Sequence, residues 1–462
     1  MTKRILGATP RRVATVAAVI AVAAMTIAGC SAGGGGTTPD TEQTGQWGKG
    51  RTITALVPTA GAGLADQYKE YYDALAAKFE EDTGATVEWQ YFNNTDEANT
   101  IVQTSLASSS GPDLLSYGSS FGGTYAATGG FHVLTEDDWA KLGGRDSYLP
   151  SMISMSGATP DEEIGVPHTS APYAMAYNKQ LLANAGVTAP PTTWDEFVDV
   201  AKRVQAANPG VYGAGFDPAD GFDPWKFVWS YTKQLGGDFV SDDNTTATLD
   251  SDQVDDAVTF FFRQYYDFGI VPPESLGWKN AEMVSAFLAG KVAMLPIATK
   301  SVATAAGTDP IADDIAFAPL PDVPYGLTER PAGGTPALSI VAGRYWAMPS
   351  YADKNLDLSL ALIKASTSLD IQEKQYDLVG WAPTTNESLQ TITDEHPEDS
   401  DTLDIIQEME PTAFTGAWAT IQSGISSVVA KAANRLAQNG TWDPNALRED
   451  LAGVNASAQR QM

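Results

Sequence analysis

The chain reads as an α/β protein of two lobes, each a mostly parallel sheet covered by helices. Three observations predict this. Strand-length apolar runs alternate with helical stripes from Thr52 onward. Residues 51–462 are more than a single hydrophobic core usually serves. After residue 30 no apolar run approaches the roughly 20 residues that cross a bilayer.

In chain order, residues 52–57 (Thr-Ile-Thr-Ala-Leu-Val) predict a strand, and 58–63 a Gly/Ala-rich loop. Tyr68, Tyr72, Leu75 and Phe79 then recur at steps of four, three and four, the stripe of a helix that stops near Gly84. Residues 86–89 and 113–117 predict two further strands, the second running into Gly118-Ser119-Ser120. Thr193-Trp194-Asp195-Glu196 fits a capping box, with Thr193 as N-cap and Glu196 reaching back. Trp194, Phe197, Ala201 and Val204 form the buried face of that helix, and Pro190-Pro191 prevents an earlier start. Further helices are expected over 253–267, over 281–289 with Gly290 ending it, and over 417–438 before Asn439-Gly440.

The N-terminus carries Lys3, Arg4, Arg11 and Arg12, then an apolar run over 13–27 that ends in Ile27-Ala28-Gly29-Cys30. This is the basic, apolar, small-residue order of an export signal, and the run is short for a membrane span. Residues 1–29 are therefore expected to be a lipoprotein signal peptide. Cys30 is the expected lipidation site, because small residues fit a peptidase cleft and the thiol accepts lipid. An incidental Cys beside an ordinary cleavage site is the competing explanation. Cys30 is the single cysteine, so no internal disulfide is possible. Residues 30–50, rich in Gly and Thr, are expected to be a flexible tether. The address implied is the extracytoplasmic face of a cell membrane.

The formal charge is −29; cleavage before Cys30 removes four basic residues and no acid, leaving −33. Such a body is repelled by phosphate backbones, so nucleic acid is not an expected partner, nor is an anionic ligand held in a basic groove. Neutral and cationic ligands both suit it.

Several stretches carry a resemblance. Gly165-Val166-Pro167 through Tyr177-Asn178-Lys179, then Ala185-Gly186 and Pro190-Pro191-Thr192-Thr193-Trp194-Asp195-Glu196-Phe197, form one specific block. Phe287-Leu288-Ala289-Gly290-Lys291-Val292-Ala293-Met294 forms a second, and Pro112-Asp113-Leu114 and Gly333-Gly334 add weaker matches. Together they resemble the extracellular solute-binding proteins of carbohydrate ABC importers, the group that includes maltose-binding protein. The resemblance implies a two-lobed periplasmic-binding-protein-like fold with a hinge and an interlobe ligand cleft. By that analogy 51–167 and 315–367 form the N-lobe, and 168–314 and 368–462 the C-lobe. It implies a carbohydrate ligand, ABC transporter permease subunits as partners, a monomer, no cofactor and no catalysis.

A sugar offers C–H faces to aromatic rings and hydroxyls to directional polar groups. The segments around Trp225 and Trp418 resemble ones that supply stacking residues in the family, though core packing explains either Trp equally simply. Tyr117 and Ser119 follow a strand end, where open α/β sheets gather ligand contacts. Tyr173 lies near the implied crossing, Trp381 follows Gly380, Asp223 precedes Trp225, and Gly334 has no side chain to keep backbone from ligand. One departure stands out. Where several members carry a Gly and a stacking Trp after Ala-Met, this chain has Leu295-Pro296-Ile297.

The competing classes are weaker. Gly118-Ser119-Ser120-Phe121-Gly122 matches G-x-S-x-G, which would make Ser120 the nucleophile of a serine hydrolase, with His132, His168 or His396 downstream. No oxyanion-hole segment precedes it. A glycosidase needs two carboxylates at a set spacing, and among 57 acids some pair always fits. One Cys, three His and no H-E-x-x-H argue against a metal site. No Walker A stretch is present, so the ATPase of an importer belongs to another subunit. A polyamine or peptide as ligand remains the nearest alternative to sugar, through cation–π contacts in an acidic body.

Overall fold

The computed structural model describes residues 46–60, 64–307 and 309–462. The expected signal peptide, Cys30 and most of the tether lie outside the described residues. Among the described residues nine strands follow in order: β1 (Thr52–Pro58), β2 (Thr86–Phe92), β3 (Leu114–Gly118), β4 (Gly165–Ser170), β5 (Ala174–Asn178), β6 (Tyr212–Ala214), β7 (Val292–Ala298), β8 (Ile315–Ala318) and β9 (Gly343–Ala347). They form two sheets, β2-β1-β3-β9-β4 and β6-β7-β5-β8. β1 runs parallel to β2 and β3, and β6 parallel to β7, while β9 and β5 are antiparallel to both their neighbours.

Apart from its edge strand β2, the first sheet is buried on both faces. Ile53, Ala55, Val57 and Trp346 point into one core, and Leu56, Tyr345 and Ala347 into another, following the two-residue side-chain period. The second sheet has the same plan, with Met175 in one core and Ala176 in the opposite one.

The expected helices form at Ala65–Thr83, Trp194–Ala207, Asp252–Tyr266, Asn280–Leu288 and Trp418–Asn439. Gly84 and Gly440 end two of them in the left-handed region (φ 74° and 69°), each returning its N–H to a carbonyl four residues back. At the 194 helix, Thr193 caps the Glu196 N–H, but Glu196 reaches past it to Thr192 N and Oγ1 (2.8 and 2.9 Å). Among the described residues no helix is long and apolar enough to cross a membrane.

The expected lobe boundaries need correction. β8, placed in the first lobe by analogy, pairs with β5 in the second sheet. The stretch after 368, placed in the second lobe, packs on the first: Ile371 and Val379 join the core of Leu75 and Leu358, and Leu389, Ile392 and Ile406 join that of Leu56. A stripe of apolar residues reveals that a helix has a buried face, not which core buries it. The chain then returns to the second sheet's core through the helices Trp418–Asn439 and Pro444–Gln459.

Between the two sheets three segments lie side by side. Ala171 N donates to Ala342 O, Val341 N to Glu410 O and Glu410 N to Ser339 O (2.9, 2.8 and 2.9 Å). Ser339 Oγ accepts from Tyr173 N at 2.9 Å and donates to Ile340 O at 2.8 Å.

Candidate functional site

Two cavities open beside these connections, at the carboxyl ends of parallel strands, where the sheet's edge turns expose side chains and backbone. The smaller, 220 Å³, is lined from the first sheet by Tyr117, Ser119, Thr169 and Arg344, and from the facing side by Tyr173, Phe222 and Lys226. The larger, 560 Å³, is lined by Asp217 beyond β6, Thr299 beyond β7, Asp223 and Lys226 at the start of the helix Pro224–Gln234, and Leu64 and Tyr68 from the first sheet's side. Tyr173 and Lys226 line both. Phe121 and Phe222 stack across the division, 6.5 Å between centroids.

The site residues expected from sequence divide as follows. Tyr117, Ser119, Tyr173, Trp225 and Trp381 border the smaller cavity, and Asp223 and Tyr173 the larger. The Tyr117 hydroxyl is buried without a partner. Ser119 Oγ donates to Val341 O at 2.7 Å, so its hydroxyl holds the connecting segment. Trp381 is half-buried, edge-on to Tyr68 at 5.0 Å. Trp225 is only 1% exposed and Trp418 0%; their rings meet edge to face at 5.8 Å, and Trp418 borders neither cavity. Trp418 is thus a core residue here, because the start of its helix faces inward. Gly334 also borders neither. A Cβ there would collide with the Gln234 carbonyl oxygen, so the close approach that requires glycine is to the chain's own backbone.

Lys226 and Asp223 form an ion pair, and the Lys226 ammonium lies 4.8 Å over the Tyr173 ring and 4.9 Å over Phe222. Burial opposes its charge, but Asp223 and Tyr173 outweigh burial and hold its pKa above the usual lysine value. Asp217 is pushed up to about 8 by burial first and then by Asp223 and Asp220, against the pull of Lys226. Its Oδ2 is buried without a partner. A protonated Asp217 can donate as well as accept, as a hydroxyl-rich ligand needs.

Sequence reasoning passed over Asp217 and Arg344. Asp217 left no local signal. Arg344 did: it is the one charge in Gly343-Arg344-Tyr345-Trp346-Ala347, an otherwise apolar strand. Leu295, Pro296 and Ile297, which replace the family's stacking Trp, line the larger cavity.

The hydrolase geometry is not assembled. His168 Nε2 bonds Ser116 Oγ at 3.0 Å, His132 Nε2 meets Asp138 at 2.9 Å, and His396 sits beside Asp377 and Glu398. Among the described residues one group has metal-ligand spacing, His396, Glu398 and Asp399; there Asp399 already accepts from Tyr376 at 2.7 Å and pairs with Lys300.

Residues 62–373 match the sequence profile of a family described as bacterial extracellular solute-binding protein. The chain belongs to that family. Solved structures share the fold of this solute-binding protein. The maltose-bound MalE3 protein of T. maritima superposes with a TM-score of 0.73 at 19% identity, covering 88% of this chain and 99% of its own. An ABC transporter solute-binding protein of Thermotoga lettingae, bound with α-D-tagatose, gives 0.72 at 21% identity over 88% and 100%. The GacH receptor of Streptomyces glaucescens, solved unliganded and with acarbose, gives 0.71 at 21% over 88% and 98%. Curated relatives described as binding proteins, from Brucella abortus and Brucella suis, are 27% identical over 177 residues, 37% of this chain and 39% of theirs. The chain is accordingly a member of a solute-binding family, and its two-sheet α/β architecture is shared with these solved structures.

Proposed function

We propose that this solute-binding protein captures a carbohydrate, an oligosaccharide, in the cleft between its two sheets and delivers it to the permease of an ABC transporter. Lipid on Cys30 would hold it, as a monomer, on the extracytoplasmic face of the cell membrane, with 30–50 as tether. The observation that carries the ligand class is the composition of the cleft. Half-buried aromatic residues, Tyr173, Phe222 and Trp381, line the cleft together with polar groups, among them Asp217 Oδ2, which has no protein partner. Rings suit the C–H faces of a sugar and the polar groups suit its hydroxyls. That structural neighbours were solved with maltose, tagatose and acarbose supports the same reading.

Closure would bend the side-by-side segments 170–173, 339–343 and 410, with ligand favouring the closed state by touching both walls. One observation favours a cationic solute such as a polyamine or a peptide: Asp220 and Glu282, which join no ion pair among the described residues, line the larger cavity. Calorimetry of the purified chain against mono- and oligosaccharides, polyamines and short peptides separates the two. Heat from a sugar, weakened about two- to tenfold in Trp381→Ala by loss of one stacking face worth ~0.5–1.5 kcal/mol, supports the proposal. Binding of a polyamine or peptide with no response to any sugar refutes it.

A further inference from the structure

We propose that the smaller cavity receives the carboxylate of an acidic saccharide, a uronic or aldonic acid, on Arg344; this rests on the carbohydrate reading above and narrows it. Arg344 is half-buried and lines the cavity from β9. Its Nε donates to Ser116 Oγ and its Nη2 to the Ser116 carbonyl, both at 2.8 Å. Both acceptors are neutral. Among the described residues Nη1 makes no hydrogen bond and Arg344 joins no ion pair; its guanidinium lies 5.1 Å over the Phe92 ring.

The surroundings sharpen this. Among the described residues the smaller cavity is lined by two cations, Arg344 and Lys226, and by no Asp or Glu. Lys226 is neutralised by Asp223, so Arg344 is the unmatched charge. His168, beyond Ser116, is held neutral by burial and by Arg344 itself, so it adds no competing charge. The larger cavity carries Asp217, Asp220, Asp223 and Glu282 on its walls beside Lys226 and Lys279. Among the described residues the acids of the cleft therefore lie on the larger cavity, away from Arg344.

Water can solvate Arg344 while the cavity is open. A ligand that expels this water must replace it. A neutral hydroxyl offers one dipole and leaves the guanidinium charge uncompensated in a dry site. A carboxylate accepts from Nη1 and Nη2 together and cancels the charge, the planar pairing for which arginine is suited. Ser116 holds the other edge of the fork, so the free edge is already oriented. The negative charge of the whole chain does not forbid an anion here, because surface charges beyond about 8 Å are largely screened at physiological ionic strength.

The test is calorimetry of the purified chain with glucuronate, galacturonate and their short oligomers, each beside its neutral counterpart and a sulfated one. At least one uronate should bind tenfold or more tightly than its neutral counterpart. Arg344→Gln should erase that preference, and Arg344→Lys, which keeps the charge, should retain part of it. The ratio in the parent protein needs no variant, so the inference stays testable even if Arg344→Gln does not fold. Neutral sugars binding as tightly as uronates would overturn the inference and leave the carbohydrate reading standing. Tighter binding of the sulfated sugar would overturn the carboxylate assignment. An equal loss for both ligands in Arg344→Gln would also overturn it. A response to polyamines or peptides alone would remove the carbohydrate reading and this inference together.

Discussion

Trp418→Ala is the sharpest test of how the site and the core are divided. Trp418 is fully buried, edge-on to Trp225 at 5.8 Å and stacked near Phe239 at 6.2 Å. A buried Trp removes about 200 Å² from water, worth about 5 kcal/mol at ~25 cal/mol/Å². Part of that is recovered as neighbours relax, and measured Phe or Trp to Ala changes in cores cost about 3–5 kcal/mol. The edge-to-face pair with Trp225 accounts for about 1 kcal/mol of this. Urea unfolding followed by far-UV circular dichroism, which does not depend on the lost fluorophore, should show a midpoint lower by about 1 M or more. The double variant with Trp225→Ala should destabilise by less than the sum of the two singles, since each removes the same contact. Ligand affinity of the folded protein should change little, because Trp418 borders neither cavity. An unchanged midpoint with lost binding would refute the core assignment and restore Trp418 as a stacking residue.

Two further outcomes are expected. Asp217 holds its proton up to about pH 8 when folded but releases it near 4 when unfolded, so its contribution is greatest below about pH 4 and is lost as pH rises toward 8. Asp217→Asn should therefore raise the melting temperature more at pH 8 than at pH 5; an equal effect at both would contradict the shift. Glu163 is 2% exposed and accepts from Trp139 Nε1 at 2.9 Å and from Arg145 Nη2 at 2.7 Å. Glu163→Ala should cost about 2–3 kcal/mol in denaturant unfolding by stranding both donors, with Arg145's partial exposure keeping the cost at the low end.

Much of this protein was legible from local pattern. The strands at 52, 86 and 114 and the helices ended by Gly84 and Gly440 formed where period and capping residues placed them. So did the family, from short stretches such as 190–197 and 287–294. The site was legible in part. Tyr117 and Ser119 border the cleft because a strand end is a local feature. Trp418 does not, because a ring on a helix start faces either core or cleft according to what packs against the helix.

The sequence by itself determined the α/β class, the strands and helices predicted above, the lack of an internal disulfide and the acidic composition. Each follows from residue type and spacing along the chain. The tertiary structure alone decided which sheet claims β8 and the 369–409 stretch, that Trp225 and Trp418 pack on each other, and that Arg344 donates to Ser116, a neutral partner. Those facts depend on groups far apart in sequence: Arg344 and Ser116 are 228 residues apart, and the fold brings them to 2.8 Å.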